Sequence, residues 1–233
     1  MSEARRSSDF SIFMSRLRRT PWRKAVRQAW RARKRDGILL PERLEGAIYG
    51  HLCGDALGVP YEFSPAASID VVEWRGHGTH DQPPGTWSDD GALMLALLDS
   101  LLSSGFDTDD QARRAIAWAD EGAYAVGGVV FDMGSATWTA LDRVRAGTPA
   151  ERAGDPEAKG NGALMRILPL ALVSRDLDEP ELVERLLRAS RVTHGSAESQ
   201  IACALSGLIA RRILAGEDDR ARALDGSRRE LRR

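Results

Sequence analysis

The sequence predicts an all-α protein, a multi-helix orthogonal globule whose helices cross one another instead of forming a regular bundle. Apolar residues recur at helical spacing in several segments between residues 41 and 214, and none of these segments alternates as a strand would. Clusters of Gly, Pro, Ser, Thr, Asn and Asp separate the segments, as turns and helix caps do. Hydrophobic residues make up 42% of the 233 residues, which is enough for a buried core.

The first predicted helix begins at Pro41, a residue that suits the first helical turn. One apolar stripe at helical spacing follows it: Leu44, Ala47, Ile48, Leu52 and Ala56. Asp55 interrupts this apolar surrounding, and we expect it to be buried and hydrogen-bonded. Gly58 and Pro60 end the helix, and residues 58–87 form a loop rich in Gly and Pro.

A densely apolar stretch from Ala92 to Leu102 predicts a central, buried helix. Ser88, Asp89 and Asp90 open it, and two interpretations fit them. Ser88 can cap the helix while both acids complement its dipole, which is the commoner arrangement. Alternatively, the three side chains can supply oxygen ligands to a divalent cation just beyond the helix end. Because this helix is apolar on all sides, we expect its N-terminus to be buried. A pair of acids buried there needs a counter-charge, which weakens the capping interpretation and supports a bound cation.

The remaining predicted helices cover residues 108–119, 137–146, 163–174, 180–190 and 196–214. We expect the last helix to end near Leu214, and residues 216–233 to form a charged tail. Asp107 and its neighbours are interpreted as the cap of the first of these helices, at residues 108–119.

Two turns rich in small residues lead into helices, at residues 132–137 and at Gly160-Asn161-Gly162. Backbone N–H groups at such turns and helix starts bind phosphate or ribose oxygens, although an ordinary cap or a flexible turn would look the same. Glu62, on the Gly/Pro loop, is either a solvated carboxylate or a general acid or base that gates a site. The four histidines show no zinc-ligand spacing.

The charge is divided along the chain into a basic arm and an acidic body. Residues 1–38 hold twelve Lys or Arg and three acids, which predicts a flexible extension or a short amphipathic helix. Nucleic acid or another acidic surface is a partner of this arm only. Residues 39–215 form the folded domain. Two isolated cysteines and the lack of a membrane-length apolar run predict a soluble, cytoplasmic protein.

Five runs, taken in order, resemble a known family. They are residues 46–63 (GAIYGHLCGDALGVPYEF), 85–90 (GTWSDD), 131–137 (FDMGSAT), 160–166 (GNGALMR) and 193–194 (TH). Together they are similar to the ADP-ribosylglycohydrolases, including the hydrolases that reverse arginine ADP-ribosylation. The resemblance covers residues 43 to about 215 and leaves the basic arm outside.

The resemblance implies a metal-dependent hydrolase that removes ADP-ribose from an N- or O-glycosidic linkage on a protein or a small molecule. It implies a two-metal site for Mg²⁺ or Mn²⁺ with Ser88, Asp89 and Asp90 as ligands, and Glu62, Asp89 and Asp90 as the catalytic residues. The residues that it implies for binding ADP-ribose are Asp132, Gly134, Ser135, Thr137, Gly160, Asn161, Gly162, Arg166 and His194.

The family completes its metal site with a late Asp-x-Asp-Thr/Ser motif, which is not found after residue 137. We therefore expect a domain that lacks its C-terminal third and hydrolyses poorly. A non-catalytic module that binds ADP-ribose is the alternative. A metal-dependent phosphohydrolase or prenyl-type enzyme built on Asp89 and Asp90 is disfavoured, because no second acidic run or histidine cluster accompanies the pair.

Overall fold

The computed structural model describes residues 39–70 and 72–232, and eight α-helices form the fold within that part of the chain. Isolated bridges, His77 with Gln82 and Asp155 with His194, are the only β-type pairing among these residues, so the all-α prediction is confirmed. The basic arm predicted at residues 1–38 lies outside the described residues. The helices are α1 Leu39–Gly58, α2 Asp89–Ser104, α3 Thr108–Glu121, α4 Ser135–Arg145, α5 Leu168–Val173, α6 Glu179–Arg191, α7 Ala197–Leu214 and α8 Arg220–Glu230.

Helix α2 is the centre of the fold, packed against α1, α3 and α5. Its apolar side chains are buried around its whole circumference, and Met94 and Leu98 have no exposed surface. The predicted stripe of α1 is its buried face, with Leu52 fully enclosed against the same core. Each large aliphatic side chain buried in this way stabilises the fold by about 1.5–3 kcal/mol.

A second apolar cluster lies between α5, α6 and α7. Helices α6 and α7 approach closely at Gly207, where an added Cβ would lie 2.5 Å from Leu186 Cδ1. The cluster also encloses Cys203 as a free thiol. Ala163 and Ile167, on either side of Arg166, belong to this cluster, so it supports the loop that carries Gly160, Asn161, Gly162 and Arg166.

Two helix predictions were wrong. The helix predicted at residues 163–174 begins only at Leu168, because Pro169 lacks an N–H group and is tolerated only in a first turn. Residues 220–230 form α8, although no helix was predicted after Leu214. Asp219 caps α8. The buried face of this helix consists of small residues, Ala223, Gly226 and Ser227, so the sequence shows no stripe of large apolar residues there.

None of the helices at residues 39–70 and 72–232 combines the length and the apolar character needed to cross a bilayer.

Candidate functional site

A buried acid from α1 fixes the N-terminus of α2. The Asp55 carboxylate accepts hydrogen bonds from Ser88 N at 3.1 Å, Ser88 Oγ at 2.9 Å and Gly91 N at 2.7 Å. The predicted hydrogen bonding of Asp55 is thereby confirmed. A Cβ on Gly91 would lie 2.8 Å from Asp55 Oδ2, so a residue without a side chain is required for this approach. Ser88 also caps the helix, since its Oγ accepts from Asp90 N at 3.3 Å.

The carboxylates at this helix end repel one another in a poorly solvated place. Asp89 is 6% exposed, and burial together with the charges of Asp90, Asp132 and Asp55 raises its pKa to about 8. Burial and the Asp90 charge raise the pKa of Asp55 to about 7, against the hydrogen bonds from Ser88 and Gly91. Burial also raises the pKa of Asp90. Such a cluster attracts protons or cations.

Glu62 is not a solvated loop residue. Its Oε2 lies 2.6 Å from His80 Nε2, and the same nitrogen is 3.9 Å from Asp132 Oδ2. Burial raises the pKa of Glu62, and the hydrogen bond with His80 opposes that rise. Ligand atoms of Asp55, Glu62 and Asp90 lie within 4.8 Å of one another, as do those of Glu62, His80 and Asp132. Glu62 therefore joins two groups that are each able to hold a cation.

Four of the predicted ligand-binding residues lie together near the start of α4, namely Thr137, Gly160, Gly162 and His194. A Cβ on Gly162 would lie 2.7 Å from His194 Cε1 and 3.1 Å from Thr137 Oγ1, so the glycine turn runs directly over both side chains. A Cβ on Gly160 would lie 3.2 Å from His194 Nε2. Asn161, between the two glycines, is exposed.

Arg166 lies beneath this turn as a buried cation. Its Nη2 donates to Ala189 O at 2.8 Å and to Thr193 Oγ1 at 3.0 Å, while its Nε has no partner among the described residues. Thr193 Oγ1 also lies 3.0 Å from His194 Nδ1. Burial and the Arg166 charge lower the pKa of His194 to about 4, so its imidazole is neutral at pH 7.

The segment at residues 131–137 connects the acidic cluster to the glycine turn. Asp132, at its start, adopts a positive φ of 56° and faces His80, whereas Thr137, at its end, contacts the glycine turn. Gly134 is the N-cap of α4 and no side chain makes a cap hydrogen bond there, so the alternative of an ordinary side-chain cap at this turn is wrong. The first N–H groups of α4 therefore remain available to a ligand.

No role was predicted for His80 and His51, which the fold places beside the acidic side chains. His80 comes from the Gly/Pro loop, and no regular spacing relates it to Glu62. His51 precedes Asp55 by one helical turn on α1, which was a usable signal. Burial lowers the pKa of His51, and the Asp90 charge acts in the opposite direction.

Comparisons with known proteins agree with the sequence pattern. The family model for ADP-ribosylglycohydrolase matches residues 36–233. The ADP-ribosylarginine hydrolase Tri1 of Pseudomonas putida is 34% identical over 166 residues, which are 70% of this chain and 44% of that protein. The ADP-ribosyl-[dinitrogen reductase] glycohydrolase of Rhodospirillum rubrum is 30% identical over 79% of this chain and 62% of its own.

A solved structure described as an ADP-ribosylglycohydrolase-related protein complex is also similar, with a TM-score of 0.69 and 38% identity. It matches 80% of this chain and 60% of its own. The chain spans about half the length of the curated relatives that it matches.

Proposed function

The chain belongs to the ADP-ribosylglycohydrolase family, and from that premise we propose that it is a metal-dependent hydrolase that releases ADP-ribose from a glycosidic linkage. The observation that carries this proposal is the acidic cluster at the buried end of α2, with Glu62 beside it. The repulsion of Asp89 by Asp90, Asp132 and Asp55 works against folding, so their crowding supports a functional role. The name of the Pseudomonas relative supports ADP-ribosylarginine on a protein as the substrate.

The donor atoms of the cluster suit Mg²⁺ or Mn²⁺. Hard divalent cations prefer carboxylate and hydroxyl oxygens, and the oxygens of Asp55, Glu62 and Asp90 already lie within 4.8 Å of one another. We propose that Ser88, Asp89 and Asp90 hold the metal, while Asp55 orients Ser88 by accepting hydrogen bonds from its N and its Oγ. When bound, a divalent cation would stabilise charge on oxygen and orient a nucleophilic water.

Glu62 is the proposed residue for proton transfer or for gating. Burial raises its pKa above the ordinary range of a glutamate, and a raised pKa suits a carboxyl group that donates a proton. Its carboxylate lies between the acids at the α2 end and the His80 side of the site.

The ADP-ribose moiety would lie across the α4 N-terminus and the glycine turn. Gly160, Gly162 and Thr137 surround the neutral His194 ring, which offers a hydrogen-bonding nitrogen without a charge. Asp132, Gly134 and Ser135 line the start of α4, and Asn161 is exposed on the turn. The positive charge of Arg166 below this surface favours a diphosphate.

Turnover of an ADP-ribosylarginine peptide by the 233-residue chain tests the proposal. We expect hydrolysis in Mg²⁺ or Mn²⁺, none in chelator, and a loss of at least about a hundredfold in D89N and D90N, since each removes one metal oxygen and one charge. D109N is the matched control, because Asp109 is also in the first turn of a helix, α3, away from the cluster.

The same assay tests the low turnover that the sequence analysis predicts. Turnover that is weak but metal-dependent, and lost in D90N, supports a hydrolase of reduced activity. If ADP-ribose binding measured by calorimetry is undiminished in chelator and no turnover is found, the non-catalytic binding module is correct. Neither binding nor turnover would contradict both functions.

A further inference from the structure

We propose that His80 is a positioning residue for Glu62, and that the turn at residues 77–82 is a clamp on the loop that carries this carboxylate. The inference rests on the proposed function insofar as Glu62 takes part in catalysis. The clamp itself is a structural claim about the contacts between the turn and the loop.

The clamp holds Glu62 by both its side chain and its backbone. His80 Nε2 lies 2.6 Å from Glu62 Oε2, and Thr79 Oγ1 donates to Glu62 O at 2.5 Å. The His80 side chain is only 13% exposed, so water competes little for this contact. Two neighbouring side chains of one turn therefore fix both ends of the same residue.

The turn is itself well ordered by internal hydrogen bonds. His77 N donates to Gln82 O at 2.5 Å, and Gln82 Nε2 donates to His80 O at 2.9 Å. Gly78 lies directly against Pro60, since a Cβ on Gly78 would overlap the Pro60 carbonyl oxygen. The clamp therefore contacts the loop at Pro60 as well as at Glu62.

The backbone after Glu62 shows that the loop needs external support. Phe63 has a φ of 59°, an unfavourable conformation for an aromatic residue, and its side chain is 79% exposed. Burial of the Phe63 ring therefore contributes little to hold this backbone. The ring does contact the clamp, since its centroid lies 5.8 Å from that of the His80 ring. The centroid of the Phe131 ring lies 5.1 Å from that of the same His80 ring.

His80 acts through Glu62 in this proposal. Glu62 belongs both to the group with Asp55 and Asp90 and to the group with His80 and Asp132. His80 is absent from the first group among the described residues, so Glu62 connects it to the acids at the α2 end.

Hydrogen–deuterium exchange of the full chain measures the clamp without any need for activity. In H80A, we expect peptides covering residues 59–68 to exchange roughly tenfold faster, as loss of one charge-assisted hydrogen bond predicts. H80Q, whose amide nitrogen occupies nearly the place of Nε2, should restore most of the protection. H77A is the matched control, because His77 is in the same turn and its side chain pairs with the exposed Asp81 instead of with Glu62.

Kinetics on the ADP-ribosylarginine peptide then separate positioning from general structural damage. H80A should lower kcat about tenfold with KM changed less than twofold, and H80Q should recover kcat. In an E62A background, the H80A substitution should cause no further loss, because its effect passes through Glu62.

Wild-type exchange at residues 59–68 in H80A, or equal acceleration in H77A, overturns the clamp. Faster exchange in α2 peptides as well would mean that H80A unfolds the domain. In that case the exchange of residues 59–68 in H80Q decides whether the clamp exists. If adding H80A to E62A lowers kcat further, His80 does not act through Glu62 and its role as a positioning residue is wrong. If the wild-type chain has no turnover, the proposed function fails, while the exchange data still decide the clamp.

Discussion

Arg166 and His194 form a buried pair of basic side chains in which only one carries a charge. Arg166 is 4% exposed and His194 is 2% exposed, and both contact Thr193 Oγ1. A second positive charge beside Arg166 would be costly, and His194 therefore stays neutral. This arrangement keeps an uncharged ring under the glycine turn and makes the fold sensitive to acid.

We predict that His194 weakens the fold below pH 6.5. Its pKa is 6.5 when unfolded and about 4 when folded, so the unfolded chain binds more protons between these values. The contribution of His194 is therefore complete above pH 6.5 and is lost as the pH falls toward 4, by at most about 3 kcal/mol.

Urea unfolding at pH 7 and pH 5 measures this effect. H194Q should show a smaller drop in the free energy of unfolding between the two pH values than the wild type does. H77Q, at an exposed histidine, should retain the wild-type drop. An H194Q variant whose drop equals that of the wild type would show that His194 is not the responsible group.

At the scale of elements, two loops cross so tightly that both need glycine. A Cβ on Gly195 would lie 2.5 Å from Gly154 O, and a Cβ on Gly154 would lie 2.5 Å from Arg191 O. Gly154 N donates to Arg191 O at 2.8 Å, and Gly195 N donates to Asp155 O at 3.0 Å. Because backbone atoms oppose each position, neither loop has a side chain that can move aside. The crossing fixes the position of His194 directly before Gly195.

We predict that G195A destabilises the protein by about 1–3 kcal/mol, since the added methyl group forces backbone apart. G50A is the control in the opposite direction, because Gly50 lies within α1 and a Cβ there meets nothing within 4 Å. Higher helix propensity should make G50A neutral or more stable by up to about 1 kcal/mol. Denaturant midpoints compare the two, and a G195A midpoint at or above that of the wild type would contradict the tight crossing.

The elements that could be predicted from sequence were those with a strong local signal. The stripe of α1 and the Asp107 cap of α3 were read correctly, because spacing and capping depend on nearby residues. Helix α8 was missed, since its contact with α7 depends on the close approach of small residues to a neighbour. Such contacts are set by tertiary packing and leave no periodic apolar signal.

The candidate site divides in the same way. Asp55 was correctly expected to be hydrogen-bonded because it interrupts an apolar helix. The helix expected directly after the glycine turn is not there, since α5 begins only at Leu168. The proximity of His80 to Glu62 could not be predicted, because it depends on how residues 58–87 fold back across α1. The spacing of residues along the chain does not show which parts of a long loop lie close together.

At the scale of the whole molecule, a cation bound at the acid cluster would stabilise the fold. The cluster has Asp55 and Asp89 with raised pKa values at the end of the most buried helix, so its repulsion acts on the core of the fold. A cation that binds only the folded state would relieve this repulsion and add its own binding free energy.

We therefore predict that Mg²⁺ or Mn²⁺ raises the Tm of the chain by roughly 5 °C or more at a hundredfold excess over Kd. Differential scanning calorimetry with and without chelator measures the shift. D90N should abolish it, and D109N should keep it. A shift of the same size in D90N would mean that the cation binds elsewhere.

The enclosure of α2 has a consequence for directed evolution of this scaffold. A helix with neighbours on every side cannot rotate or slide to re-aim the acids in its first turn. Changes in the shape of the site would have to come from an exposed rim of loop residues, of which Phe63 and Val129 are examples. Libraries confined to that rim should retain folded variants, whereas randomising the interior of α2 would mainly yield collapsed or aggregated chains.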